Sequence, residues 1–308
     1  MLRSLLIALS RRRGVQELAA AWPPAQRVAR RFVAGETLEQ ALAVVRQLQT
    51  LGLQTTLNYL GEDVRSPSEA LACREAYLAS LEGLARAGLP SHISIKLTQL
   101  GLDLDGDLCY AHAEAIVARA AEQGRFVRID MESSAHTQRT LDLYRRLRAA
   151  YRNVGAVIQS YLYRSRADVE SLIEQGIANL RLCKGAYAEP PSLAYPEKRD
   201  VDANLVRLAA LMLQPAARAA GAYVALATHD ERIIRWLRAY AYHHAIPSTA
   251  YEFQMLYGVR RDLQQRLADE GACMRVYVPY GTHWYPYFMR RLAERPANLV
   301  FFAKALLG

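Results

Sequence analysis

The sequence predicts an α/β barrel in which eight strands alternate with helices. Three observations carry that prediction. Eight short runs of apolar or β-branched residues recur along the 308-residue chain. Each is followed by a segment of helical periodicity, and the spacing, roughly thirty residues, is that of a βαβ unit. Alternating elements of this kind imply a parallel sheet with helices outside it, and eight units suffice to close the sheet. An open doubly wound sheet is the competing arrangement, but no G-x-G-x-x-G follows the first run.

In order, the runs are QTTLNYL (54–60), HISIKL (92–97), RFVRID (125–130), VGAVIQS (154–160), IANLRLC (177–183), AYVALATH (222–229), STAYEFQ (248–254) and MRVYVPY (274–280). Segments such as Ala135–Arg148, Asp168–Gln175 and Glu231–Tyr240 supply the helices between them. The residues before the first run read as helices at Leu2–Ala20, Ala25–Ala34 and Leu38–Leu51. The expected organisation is a helical segment over 1–52, a barrel over 53–297 and an apolar tail over 298–308 packed on the barrel. The longest connection, AEPPSLAYPEKRD (188–200), follows the fifth run.

The last helix, within HWYPYFMRRLAERP (283–296), is unusual. Pro286 suits a first helical turn, where a missing N–H costs nothing, and Pro296 closes the segment. Tyr285, Phe288, Met289 and Leu292 form the stripe that faces a core. The other face carries Trp284, Tyr287, Arg290, Arg291 and Glu294, with Tyr287 three and four residues before the arginines. We expect Trp284, Tyr287, Arg290 and Arg291 to roof the barrel mouth. Trp284 has a packing role in this reading rather than a chemical one.

Composition narrows the class. With 52% hydrophobic residues the chain can fill one large core. It has no run of about 18 apolar residues, so no membrane-spanning helix is expected. Cys73, Cys109, Cys183 and Cys273 are widely separated and form no C-x-x-C, which suits free thiols in a reducing compartment. The net charge of +9 is partly local: MLRSLLIALSRRR holds four arginines and no acid precedes Glu17. Three readings of this stretch stay open: a mitochondrial-type presequence, a basic amphipathic helix on an anionic membrane surface, or a solvated helix. The remaining basic residues are scattered among acids, so no nucleic-acid partner is expected. The expected location is the cytoplasm, with peripheral contact at the inner face of the cell membrane left open.

Chemistry in such barrels sits at the carboxyl ends of the strands. The runs end on Asn58 with Glu62 beyond, Lys96, Asp130 with Glu132, Gln159, Arg181 leading to Lys184 and Tyr187, Thr228 with His229 and Asp230, Glu252 with Gln254, and Tyr277. Plain alternatives exist for each. Lys96 and Glu132 could be solvated rim charges, Asp230 a helix cap, and Glu252 the partner of an arginine. Arg290 could pair with Glu294 one turn on. Three chemistries suit the set. A Schiff-base aldolase would use Lys96 or Lys184. A metal hydrolase would need two or three histidines with a carboxylate, yet only His229 stands at a strand end. A flavin enzyme would need donors such as Gln159, Arg181 and Lys184 with the backbone of KGA and ATH. Residue types alone do not choose between the aldolase and the flavin enzyme.

Eight pieces go further: SIKL (94–97), RIDME (128–132), IQSYLYRS (158–165), RLCKGAY (181–187), ATHD (227–230), YEFQMLYG (251–258), RVYVPYG (275–281) and YPYFMRRLAERPAN (285–298). In this order, over about Asn58 to Asn298, the chain resembles the proline dehydrogenase family in its short monofunctional bacterial branch. The resemblance implies a distorted (β/α)8 TIM-like barrel, to which the helices read before the first run and after the last add an N-terminal helical arm and a short C-terminal helix. It implies an FAD-dependent oxidation of L-proline to Δ1-pyrroline-5-carboxylate by hydride transfer to flavin N5, the first step of proline catabolism. Electrons would pass to a membrane quinone.

Residue roles follow from the same resemblance. Arg290 and Arg291 would clamp the proline carboxylate with Lys96 as a third positive neighbour. Tyr277 and Tyr287 would wall the ring, with Leu182 beneath it. Asp130, near flavin and substrate, and Arg181, at flavin N5, would be the catalytic residues. Gln159 would bind the pyrimidine edge, while Met131, Lys184, Gly185, Ala186, Thr228 and His229 would hold the rest of FAD. Glu62 would be a gate acid that pairs with the second arginine, and no metal is implied. Two positions depart from the family pattern: Cys183 stands where valine is common, and Asp230 where asparagine is common.

Overall fold

The computed structural model describes residues 29–61 and 64–294. The expected helix Leu2–Ala20, the gate acid Glu62 and the tail 298–308 lie outside the described residues. Ala29 is helical and residues 30–32 form a turn, with the N–H groups of Phe32 and Val33 both donating to Ala29 O, so the helix expected over Ala25–Ala34 does not run past Ala29.

Eight parallel strands close into a barrel in chain order. Helix α1 (Leu38–Thr50) is followed by β1 (Gln54–Tyr59), α2 (Pro67–Arg86), β2 (His92–Ile95) and α3 (Gly106–Glu122). Then come β3 (Val127–Ile129), α4 (Ser134–Ala150), β4 (Val154–Gln159), α5 (Ser165–Glu174) and β5 (Asn179–Cys183). The chain continues through α6 (Lys198–Met212), α7 (Pro215–Ala219), β6 (Tyr223–Ala227), α8 (Glu231–His243) and β7 (Tyr251–Leu256). It ends its described course with α9 (Arg261–Asp269), β8 (Met274–Tyr280) and α10 (Trp284–Glu294). Pairing of β1 with β8, from Gln54 opposite Arg275 to Tyr59 opposite Tyr280, completes the ring.

Local chemistry sets the boundaries. Thr37 caps α1 in a reciprocal box with Gln40, and Ser66 caps α2 just before Pro67. Asp105 caps α3 by accepting from Leu108 N at 2.8 Å. Each of the eight expected runs contains a strand, with one correction in the seventh. Ser248–Ala250 form a 3-10 turn in which Ala250 N donates back to Pro247 O, so their backbone groups are diverted and pairing starts at Tyr251. Likewise HISIKL pairs only as far as Ile95, because Leu97 begins a second 3-10 turn at Thr98–Leu100.

The distortion of the barrel lies at its seam. Helix α1 packs against both β1 and β8, the slot that a helix after β8 would fill in a regular ring. Helix α10 is thereby displaced. Its Trp284, Tyr285, Tyr287, Phe288 and Met289 cluster with Ala29, Phe32, Val33 and Leu60 instead of with the main core. Leu60 directly follows β1, so α10 lies over the carboxyl end of the strands. Gly281, at φ 128°, makes the turn between β8 and α10, and a Cβ there would stand 3.0 Å from Leu60 O.

The strands are buried on both faces. Alternation sends Ile93, Ile95, Val127, Ile129, Leu180 and Leu182 to the surrounding helices, all at 0% exposure. It sends polar residues inward, and the buried set includes Ser94, Arg128, Asp130, Arg181, Glu252, Gln254 and Arg275. The barrel axis is therefore lined by charge and not by layers of aliphatic side chains.

Candidate active site

A cavity of about 640 Å³ opens at the carboxyl ends of the strands. Lys96, beyond β2, and Asp130 and Met131, beyond β3, line one side. Gln159 and Arg181 come from β4 and β5, followed by Lys184, Gly185 and Ala186 on the next loop. Thr228 and His229 follow β6, Tyr277 comes from β8, and Tyr287, Arg290 and Arg291 reach in from α10. Residues scattered over almost 200 positions thus meet in one space.

Two expectations do not fit this cavity. Leu182 is not among its lining residues and is fully buried in the core between barrel and helices. The cause is the two-residue period of β5: Arg181 and Cys183 face inward, so Leu182 cannot. Trp284 does not roof the mouth either. It is 3% exposed within the α10 cluster, and its Nε1 donates to Glu36 Oε1 at 3.0 Å. Its role is to fasten α10 to the segment before α1.

Asp130 is the hub of the site. Its Oδ2 accepts from Lys96 Nζ at 3.0 Å and from Tyr277 OH at 2.7 Å. Its Oδ1 accepts from Ser94 Oγ and Arg181 Nη1, both at 2.6 Å. Burial alone would raise this carboxyl, but the charges of Lys96 and Arg181 and the bonds from Ser94 and Tyr277 hold it well below the usual carboxylate range. Asp130 is thus a fixed anion, unsuited to taking a proton. Burial would lower the Lys96 ammonium, but Asp130 drives it well above its ordinary value, so it stays charged. That argues against a Schiff base at Lys96, which requires a neutral amine.

Below the hub lies a second polar layer. Arg181 Nε donates to Gln254 Oε1 at 2.5 Å, and Gln254 Nε2 donates to Glu252. Arg275 Nε reaches both oxygens of Glu252 at 3.0 Å. Burial would raise Glu252, but Arg275 brings it down to about 2. Glu252 is the arginine partner that one of the plain alternatives supposed. Arg128 donates to Ala156 O at 3.0 Å and Asn179 O at 2.7 Å. Sequence reasoning missed Ser94, Arg128 and Arg275, although a signal was present. Each precedes a nominated inward residue by two positions (Lys96, Asp130 and Tyr277) and so shares its face.

Glu132 is no rim charge: it is buried, and its carboxylate accepts from Thr98 N at 3.2 Å and Thr98 Oγ1 at 2.7 Å. At the other end of the cavity Lys184 pairs with Asp202 at 2.5 Å and Asp230 at 3.4 Å. Asp230 also caps α8, accepting from Arg232 N at 3.2 Å. Burial would raise its carboxyl, but Arg232 and Lys184 take it to about 2. His229 Nε2 accepts from Leu256 N at 3.1 Å, which requires the neutral ring with its proton on Nδ1. Cys183 also lines the cavity.

Three features bear on what the cavity could hold. Arg181 Nη2 and Gln159 Oε1 are buried without a hydrogen-bond partner, one a donor and the other an acceptor. Gly185 has φ 106°, and a Cβ there would stand 2.3 Å from the Tyr161 ring, so the backbone is pressed close on that side. Arg290 and Arg291 line the same cavity as Lys96, and three cations are a set suited to a carboxylate. A flat heterocycle with both donors and acceptors on its edge would satisfy the two orphaned atoms. Among the described residues no group of three or more His, Cys, Asp or Glu is arranged to hold a metal ion.

Comparison with known proteins gives a consistent result. The family model described as proline dehydrogenase matches residues 41–304. The chain is 43% identical over 307 residues to proline dehydrogenase 1 of Bacillus subtilis subsp. natto, covering 100% of this chain and 99% of that one. It is 41% identical over 312 residues to proline dehydrogenase of Deinococcus radiodurans, covering 99% and 97%. Among solved structures, proline utilization A from Bdellovibrio bacteriovorus inactivated by N-propargylglycine aligns with TM-score 0.82 and 28% identity. That alignment covers 88% of this chain but only 33% of the larger protein.

Proposed function

This chain belongs to the proline dehydrogenase family, and on that premise we propose that its cavity binds FAD and L-proline together and oxidises proline to Δ1-pyrroline-5-carboxylate. The observation that carries the proposal is the pair of orphaned buried atoms, Arg181 Nη2 and Gln159 Oε1, in the same cavity as Lys96, Arg290 and Arg291. One set suits the edge of a flavin ring and the other the carboxylate of an amino acid. Met131, Gln159, Arg181, Lys184, Gly185, Ala186, Thr228 and His229 would hold FAD. Lys96, Tyr277, Tyr287, Arg290 and Arg291 would hold proline.

When bound, FAD supplies the acceptor for the hydride that leaves proline C5. The protein's part is to hold proline in one pose and one protonation state. Arg290 and Arg291 fix the carboxylate, and rigid fixing presents C5 to the acceptor. The amine must be neutral, because its lone pair becomes the C=N bond as the hydride departs. Three cations around the substrate disfavour the protonated amine. Asp130 opposes them electrostatically, but its charge is already committed to Lys96, Arg181 and Tyr277. It acts by holding these three groups and not by removing a proton. Arg181 would offer the N–H groups of Nη2 to the acceptor, where negative charge develops.

We further propose a membrane quinone as the terminal electron acceptor, and peripheral membrane contact through residues 1–13 of a cytoplasmic protein. Among the described residues no helix is long and apolar enough to cross a membrane. Denaturing the purified protein and identifying the released chromophore tests the cofactor: FAD is expected. A folded protein that releases no flavin, or releases FMN, overturns the assignment.

A further inference from the structure

We propose that Glu252 and Gln254 are positioning residues for Arg181: together they fix which way its guanidinium faces and so aim Nη2 at the bound oxidant. The inference rests on the reading that the cavity holds a flavin. Neither residue was assigned a role by the resemblance.

An ionised carboxylate only accepts, so the Gln254 amide must turn its NH2 toward Glu252. That leaves Gln254 Oε1 as the atom facing Arg181, and it accepts from Nε. On its other side Arg181 gives Nη1 to Asp130. A planar guanidinium tied at Nε and Nη1 has no torsional freedom left, so the heading of Nη2 is set. Nη2 is the nitrogen that finds no protein partner. Arg275 keeps Glu252 anionic and in place by binding both of its oxygens and Thr55 O. With an amide at position 252, the Gln254 side chain could reverse and set its NH2 against Arg181 Nε, donor against donor. The Arg275–Glu252–Gln254 chain is therefore a one-way lock on Arg181.

The test uses flavin-loaded Glu252→Gln and Gln254→Leu proteins. The midpoint potential of the bound flavin is measured by redox titration, and the rate of its anaerobic reduction by L-proline by stopped flow. With Arg181 misaimed, the reduced flavin loses a stabilising donor. The reduction equilibrium should fall about tenfold, a shift of about 30 mV for a two-electron couple. Flavin reduction should slow, while proline affinity, set by Lys96 and α10, stays near that of the parent. If Glu252→Gln does not fold, Gln254→Leu carries the test alone, since it leaves the Glu252–Arg275 pair intact. A parental midpoint and reduction rate in a folded variant overturn the proposal. A parent protein without flavin overturns the functional reading instead. A flavin-loaded parent that proline reduces, with unmoved variants, defeats only this inference.

Discussion

The Lys96 ammonium lies 3.0 Å from the Asp130 carboxylate, and the two side chains are only 13% and 10% exposed. A nearly buried pair of this kind fixes geometry more than it adds net stability, but removing one partner strands the other. Here two cations depend on one anion, because Arg181 also bonds to Asp130.

Asp130→Ala should therefore destabilise the protein by about 3–5 kcal/mol, the cost of leaving buried charge uncompensated. Asp130→Asn, which retains an acceptor for Tyr277, should cost less. Urea unfolding at neutral pH reads both, and equal stability of parent and Asp130→Ala would remove Asp130 from the centre of the site.

Acid should erode the protein's stability over two pH windows. Burial and the charge of Arg275 hold the folded His92 ring down at about 3, against an unfolded value of about 6.5. A depressed base binds fewer protons folded than unfolded, so its contribution erodes as pH falls from about 6.5 toward 3. Glu252 sits at about 2, against an unfolded value of about 4.3. Its depressed carboxyl contributes stability above the unfolded value, which is lost as pH falls from about 4.3 toward 2. Urea midpoints measured across this range should fall more steeply for the parent than for His92→Phe in the upper window. Parallel profiles would refute the assignment.

Arg290→Met and Arg291→Met should each raise the proline KM by roughly 10- to 100-fold, from about 1.5–3 kcal/mol for hydrogen bonds to a charged group. Flavin content should be unaffected. Parental KM values in both variants would end the carboxylate-clamp assignment.

Gly185→Ala should weaken FAD binding by forcing the loop off Tyr161, since the added Cβ would overlap that ring and φ 106° is strained for alanine. Titration of the apoprotein with FAD measures the loss. Adding Tyr161→Ala should recover part of it by clearing the space, although the φ strain stays. No loss in the single variant would show that the loop tolerates a side chain there.

Much of the fold was legible because its signals are local. Apolar runs at βα spacing mark all eight strands, and the parity of Asp130, Arg181 and Tyr277 within their runs sends them inward. The misreadings have physical causes. Leu182 was placed beneath the substrate although its neighbour Arg181 occupies the inward face. Ser248–Ala250 look like strand residues, but the turn after Pro247 diverts their hydrogen bonds. Trp284 lies on the apparent outer face of α10, and only the displacement of that helix, with Glu36 placed beside it, shows why it is buried. The inward arginines at 128 and 275 were passed over because a charge early in an apolar run reads as an interruption. In this barrel such charges form the interior.

The central claim is that this cavity brings proline and a flavin into reacting contact. Its most direct test is anaerobic addition of L-proline to the purified protein while visible absorbance and Δ1-pyrroline-5-carboxylate are followed together. The account predicts flavin bands that bleach, with product formed in equal amount to the flavin reduced. A folded protein that is colourless, or whose flavin stays oxidised in excess proline, would contradict it.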